Sequence, residues 1–158
     1  MKPIEKLKVS KSWKVRRHIS AGTIIYRKTR KEIEILLLYR KNSETWHLPK
    51  GTVERDQSLA ETALRETKEE TGFDVKLNGY IGKLESLIER EEKIIPKDTH
   101  YYLAEVIPGT VTRVDKEHDG ATFVTLEKAL VLLNFDTIAE KEYEIVRLAT
   151  KQLQTFLV

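Results

Sequence analysis

Four acids, Glu61, Glu66, Glu69 and Glu70, crowd one short stretch between Ser58 and Gly72, directly after Leu48-Pro49-Lys50-Gly51. The spacing of the apolar residues predicts a helix over Leu59–Thr71. On a wheel of about 100° per residue, Leu59, Ala60, Ala63, Leu64 and Thr67 form the core-facing arc. Glu70 falls inside that arc, Glu66 on its border, and Glu69 further round; Glu61, Arg65 and Lys68 turn toward solvent. This is an unfavourable place for acids. Glu66 and Glu70 are like charges at i,i+4, at a cost of a few tenths of a kcal/mol. Glu69 and Glu70 sit in the last turn, the wrong end of the helix dipole, at about 0.3–1 kcal/mol each. A desolvated carboxylate without a partner costs several times more. A divalent cation would offset all three terms. Carboxylates and water favour a hard ion, Mg2+ or Mn2+ in its place. With no cysteine and four histidines in the chain, zinc is disfavoured. A backbone carbonyl near Lys50–Gly51 can complete such a site, and the Lys50 ammonium can neutralise a phosphate. Together these groups suit phosphoryl chemistry by positioning and charge neutralisation.

The elements that hold this stretch can be read locally. Ser58-x-x-Glu61 is a capping box, so the helix starts at Ser58, and Gly72 stands where a left-handed C-terminal glycine belongs. Upstream, Ala21–Tyr26 and Ile33–Tyr39 read as a β-hairpin, and the run Leu36–Leu38 as a strand buried on both faces. Downstream, strand-like segments recur at Asp74–Leu84, Leu87–Ile95, Thr99–Val106 and Thr122–Leu126. A short helix is expected over Glu127–Leu133. A second capping box, Thr137-x-x-Glu140, should open a C-terminal helix with Ile145, Leu148, Ala149, Leu153 and Phe156 at helical spacing. Strands around a central helix, closed by another helix, indicate an α+β chain with a mixed sheet between helices.

Composition narrows the class. The 158 residues are 40% hydrophobic and carry 28 basic against 25 acidic residues, a net charge of +3. The length suits one domain, and the charge is too mild to argue for nucleic-acid binding. The absence of cysteine excludes disulfide scaffolds and thiol catalysis. Apolar runs reach only about five residues, too short to span a bilayer. The N-terminus has no apolar signal region, and a cytoplasmic domain without membrane association or an obligate protein partner is expected. Residues 1–18 form a basic extension, with Lys2, Lys6, Lys8, Lys11, Lys14, Arg16 and Arg17 against Glu5; residues 19–158 form the single domain. Trp13 is a candidate for docking on that domain.

The segment Gly51–Phe73 resembles the Nudix signature, G-x5-E-x7-R-E-U-x-E-E-x-G-U, where U is a bulky apolar residue. Gly51, Arg65, Glu66, Glu69, Glu70, Gly72 and Phe73 match; Gln57 replaces the first Glu and Thr67 the first U. The resemblance implies an α/β/α sandwich and Mg2+-dependent cleavage of a pyrophosphate linkage in a small-molecule nucleotide. In the family the residue at Gln57 pairs with Arg65 and steadies the loop–helix junction; Gln can still accept from Arg65, without charge assistance. Beyond the box, Ser20-Ala-Gly, Glu34-Ile-Leu-Leu-Leu, Trp46-His-Leu-Pro-Lys-Gly, Tyr101-Tyr-Leu-Ala-Glu-Val and Glu117-His are similar to the asymmetrical diadenosine tetraphosphate hydrolase subgroup. That subgroup often has a tyrosine about 17 residues after the box, where this chain has Arg90.

The resemblance implies Glu66, Glu69 and Glu70 as metal ligands with the Lys50 carbonyl, and Glu117 as a further ligand or a group that orients the attacking water. It leaves Gly51, Gln57, Arg65 and Gly72 with structural roles. Lys50, Arg40, Arg90 and Lys97 are candidate phosphate contacts. Tyr101 and Tyr102 alternate along one strand, and Tyr101 is the candidate to meet a base or a phosphate. His100 and His118 are weaker candidates for phosphate contacts, since a lone histidine is more often structural. The expected substrate is diadenosine tetraphosphate or a related dinucleoside polyphosphate. A pyrophosphohydrolase of modified nucleoside triphosphates or RNA 5′ ends is the alternative enzyme, the basic arm giving the RNA reading some support. An inactive nucleotide-binding regulatory module is the alternative of another class.

Overall fold

The computed structural model describes residues 17–134 and 141–155. Ten elements follow one another: β1 (His18–Lys28), β2 (Ile33–Arg40), β3 (Thr45–His47), β4 (Lys50–Thr52), α1 (Leu59–Thr71), β5 (Val75–Arg90), β6 (Lys93–Val106), β7 (Gly120–Thr125), α2 (Leu126–Asn134) and α3 (Glu142–Thr155). The mixed sheet runs β3-β2-β1-β6-β5, with β4 also paired to β1 and β7 to β2. Among the described residues, only β1 and β6 run parallel. The β1–β6 pairing starts at His18↔Lys97, one residue after Pro96, so the missing proline N–H falls outside that ladder.

Alternation along β1 separates two apolar layers. Ile24 and Tyr26 pack with Tyr101, Leu103, Ile145, Val146 and Ala149 on the side of α2 and α3. Ile25 packs with Leu36, Phe73 and Ala104 on the side of α1. The expected sheet between helices is therefore the observed α+β architecture. Burial of Leu36, Leu37 and Leu38 at 1% or less agrees with a strand covered on both faces.

Helix α1 has the expected bounds. Ser58 Oγ accepts the Glu61 amide at 3.0 Å, and Gly72 closes the helix at φ 80°. A side chain at Gly72 would also strike the Arg113 backbone, so this position excludes a Cβ twice over. The buried face is rotated from the expected one: Thr62, Ala63, Thr67, Glu70 and Thr71 are buried, whereas Leu64 is 39% exposed. The Thr67 hydroxyl bonds Thr23 on β1 at 2.6 Å, and this polar seam turns the threonines inward.

The reading differs from the structure most between residues 75 and 106. The segment Leu87–Ile95 is not a separate strand; it is the tip of one long hairpin, β5–β6, turning at Glu91 and Glu92 with φ of 49° and 62°. Paired positive φ values belong to a turn normally signalled by Asn or Gly, so two glutamates hide it. At the N-terminus, β1 takes up His18, and Arg17 binds Asp98 through two bonds of 2.9 and 2.7 Å. The lysine-rich arm before Arg17, Trp13, the Thr137–Glu140 capping box and Phe156 lie outside the described residues. Among the described residues, no helix is long and apolar enough to cross a membrane.

Replacing Ser58 by alanine should remove the α1 cap and lower unfolding stability by about 1 kcal/mol, read from the urea midpoint at unchanged slope. A change below a few tenths would show that α1 is held by packing alone.

Candidate active site

The central contact is between α1 and β4. Gly51 pairs with Ala21 of β1, and its bare Cα faces Glu66 so closely that any Cβ would overlap the carboxylate. Glycine is thus required by a side chain from the helix rather than by a turn. Gly22 has the same role one strand over: a Cβ there would overlap Pro49 O, which accepts the Thr23 amide at 3.0 Å. These two close approaches press the Leu48–Gly51 backbone against β1 on one side and α1 on the other.

Arg65 organises the exposed side of the site. Its Nη1 lies 2.9 Å from Glu66, 3.2 Å from Glu69 and 3.7 Å from Glu54. Its Nε donates to Gln57 Oε1 at 3.1 Å, and its Nη2 to Thr52 O at 3.1 Å. The glutamine therefore keeps the junction bond expected of it, and it accepts from Thr62 Oγ1 as well. Because Arg65 gathers Glu66 and Glu69, the three expected ligands do not converge. Among the described residues no three carboxylate or imidazole side chains form a metal-binding group. Glu69 remains about half exposed, on the Arg65 side.

Glu70 stands apart, 7% exposed, facing the interior. Burial, then the charges of Glu66 and Asp115, push its carboxyl up to about 9, against a backbone hydrogen bond from Lys50 and the charge of Arg40. Burial also raises the Glu66 carboxyl, with Arg65 opposing. The two carboxyl groups are hard oxygen donors of the kind that suits a divalent cation, and the Lys50 backbone N–H donates to Glu70.

The loop before β7 supplies the far wall. Glu117 lies at its rim, about three-quarters exposed, 3.9 Å from Arg40 at the end of β2. The inner residue is its neighbour. His118 is buried, with Nδ1 2.6 Å from Asp115 Oδ1 and Nε2 4.0 Å from Glu70 Oε2. Sequence reasoning set His118 aside as a lone histidine and passed over Asp115; the hydrogen bond that pairs them has no sequence signature.

On the other face of β4 lie the expected phosphate contacts. Lys50 reaches Glu142, at the start of α3, at 2.8 Å. Lys97 on β6 is close enough to feel Lys50, Glu142 and Arg90, and burial foremost lowers its ammonium to about 8. The charges of Lys50 and Arg90 thus both act on Lys97, and Arg90 and Lys97 act on His18, which lies 3.1 Å from Thr52. Tyr101 does not face a ligand. It is fully buried in the α2/α3-side core, its hydroxyl without a hydrogen-bond partner, and burial with the charges of Glu142 and Glu70 raises its pKa well above the ordinary value. The strand is wholly covered at that point, so the ring packs rather than stacks on a base. Tyr102, on the opposite face, forms an edge-on pair with Tyr80 at 5.4 Å. His100 accompanies them, 2.8 Å from the Tyr80 hydroxyl.

The sheet between helices thus carries an acidic helix braced on a glycine strand, with basic side chains on that strand's other face. The chain belongs to the Nudix family: the NUDIX domain model matches residues 16–148. It is 34% identical over 128 residues to mouse bis(5′-nucleosyl)-tetraphosphatase (asymmetrical), covering 73% of this chain and 84% of that protein. The pig protein of the same name is 35% identical over 127 residues, with the same coverage. Among solved structures, the binary complex of the Caenorhabditis elegans Ap4A hydrolase superposes with a TM-score of 0.71 at 26% identity, over 87% of this chain and 98% of that one. MutT protein from Methanosarcina mazei gives 0.66 at 27%, over 89% and 99%.

The Glu70 shift has a measurable consequence. Its folded pKa lies above its unfolded value near 4.5, so the native state holds the proton more tightly. Metal-free protein should therefore be most stable below pH 4.5 as far as this group is concerned, and lose that stability as pH rises toward 9. Lys97, whose folded pKa is depressed to about 8, adds the opposite slope only above that pH. Melting scans in chelator between pH 5 and 8 should show a decline that Glu70→Gln flattens; equal slopes in both proteins would refute the assignment. Mg2+ should raise the melting temperature more at pH 8 than at pH 5.

Proposed function

We propose that this Nudix hydrolase is an Mg2+-dependent asymmetrical hydrolase of diadenosine tetraphosphate or a closely related dinucleoside polyphosphate. The single observation that carries the metal-dependent chemistry is the buried Glu70 carboxyl beside Glu66, an arrangement that discharges its repulsion when a divalent cation binds. The substrate reading is supported by the tetraphosphatases that match this chain over most of their own length.

Glu66 and Glu70 would hold the cation, with Glu69 directly or through water and a backbone carbonyl near Lys50–Gly51. Once bound, the cation supplies charge neutralisation at the attacked phosphate and acidifies a water. Every other task falls to the chain. Glu117, exposed at the rim and steadied by Arg40, accepts a hydrogen bond from the attacking water and orients it. Arg65 keeps Glu66 and Glu69 aimed and anchored to the β4 loop. Lys50, Lys97 and Arg90 hold phosphates that are not attacked, and this grouping suits a substrate longer than a single diphosphate. Water adds to one terminal phosphorus, the bridging P–O bond breaks, and its oxygen leaves with the longer chain, giving AMP and ATP.

The test is product analysis by mass spectrometry. The protein with Mg2+ is offered diadenosine polyphosphates, nucleoside triphosphates, nucleotide sugars and a 5′-triphosphate RNA. ATP and AMP from diadenosine tetraphosphate are expected, and Glu70→Gln should lower turnover by about 100-fold or more without loss of stability. Turnover of another compound alone would discard this substrate. Near wild-type turnover by the variant would discard the metal assignment.

A further inference from the structure

Glu142 is a buried acid that no part of the proposed chemistry uses. It opens α3, is 3% exposed, and sits 94 residues away in sequence from the backbone it grips. One oxygen accepts the Leu48 amide at 2.6 Å, and the other the Lys50 ammonium at 2.8 Å. His47 Nδ1 lies 3.9 Å away. Both short bonds are charge-assisted, the kind that fixes direction as well as distance. An acid in the first turn of a helix also gains from the helix dipole. Bonds to both oxygens therefore hold the carboxylate in place.

We infer that Glu142 is a positioning residue: it holds the Lys50 ammonium in the phosphate-binding cluster and, by charge, lets Lys50 and Lys97 share one small space. The inference rests on the reading of Lys50 as a phosphate contact. Three observations support it. The Lys50 side chain leaves β4 on the face opposite Gly51, so it lies across the strand from the α1 carboxylates and points to α3. The charge of Glu142 acts on Lys97 in favour of its ammonium, while Lys50 and Arg90 act against it. The β4 backbone has independent supports, since Lys50 pairs with Gly22 and Pro49 O accepts from Thr23. Removing the Glu142 charge should thus release the ammonium without moving the backbone that faces the α1 carboxylates. Affinity would suffer and the chemical step would not.

Steady-state kinetics with diadenosine tetraphosphate and saturating Mg2+ separate the possibilities. Lys50→Gln should raise KM about tenfold or more, the scale of a lost charge-assisted phosphate contact. Glu142→Gln keeps an acceptor for the Leu48 amide but loses the charge that holds Lys50. It should raise KM by a similar factor with kcat within about threefold. The double variant should be no worse than either single one, because both remove the same interaction. Glu142→Asp, which keeps the charge on a shorter stem, should recover part of the affinity, and it stands in if the glutamine variant fails to fold. If Lys50→Gln raises KM while Glu142→Gln leaves it unchanged, or if the two effects multiply, the positioning role is overturned and Lys50 remains a contact. A silent Lys50→Gln overturns both. A fall in kcat in Glu142→Gln at unchanged KM would place its role in the backbone instead, and would also overturn the inference.

Discussion

The burial of acidic side chains on the inner face of α1 is the constraint around which this protein is built. A helix can bring Glu66 and Glu70 to one side by spacing alone. Keeping them against a strand is harder, because each desolvated carboxylate works against folding. Part of the answer is steric. Gly51 and Gly22 have no side chains where the carboxylate and the Pro49 carbonyl come closest. Part is polar. Thr23 and Thr67 join strand and helix by a hydroxyl pair, and Arg65 neutralises Glu66 and Glu69 from the solvent side. Glu70 has no such ion pair within α1, and burial, with the charges of Glu66 and Asp115, raises its carboxyl.

The strand β4 is where the two faces of the molecule meet. Three residues long, it carries Gly51 toward α1 and Lys50 toward α3. Alternation along a single strand thus places carboxylates on one side and basic side chains on the other. The cations come from β4, β5 and β6, and burial and their mutual repulsion lower the Lys97 ammonium. Glu142 from α3 is the counter-charge in that group. Tyr101, enclosed in the core, feels the charges of both Glu142 and Glu70.

Much of the site was legible because it is local. Thirteen residues of α1, its Ser58 cap, its Gly72 terminus and the inward turn of Glu70 all follow from spacing within about four turns of helix. The Gln57–Arg65 bond was expected from the family resemblance. The hairpin tip was not, because Glu91 and Glu92 adopt positive φ without the residues that advertise it. Leu64 was misplaced because the threonine seam, and not apolar content, sets the rotation of α1.

Local pattern in the sequence specifies an acidic helix, next to a lysine and a glycine, in an α+β chain. Those features depend on helix geometry and capping, which act over a few residues. Tertiary structure alone decided which of the many basic residues gather with Lys50, that Tyr101 is core, that His118 rather than Glu117 lies against Glu70, and that Glu142 grips the β4 loop. The physical reason is that those relations join residues tens of positions apart through strand register and helix docking, and charge or side-chain type alone does not encode which distant partner is met.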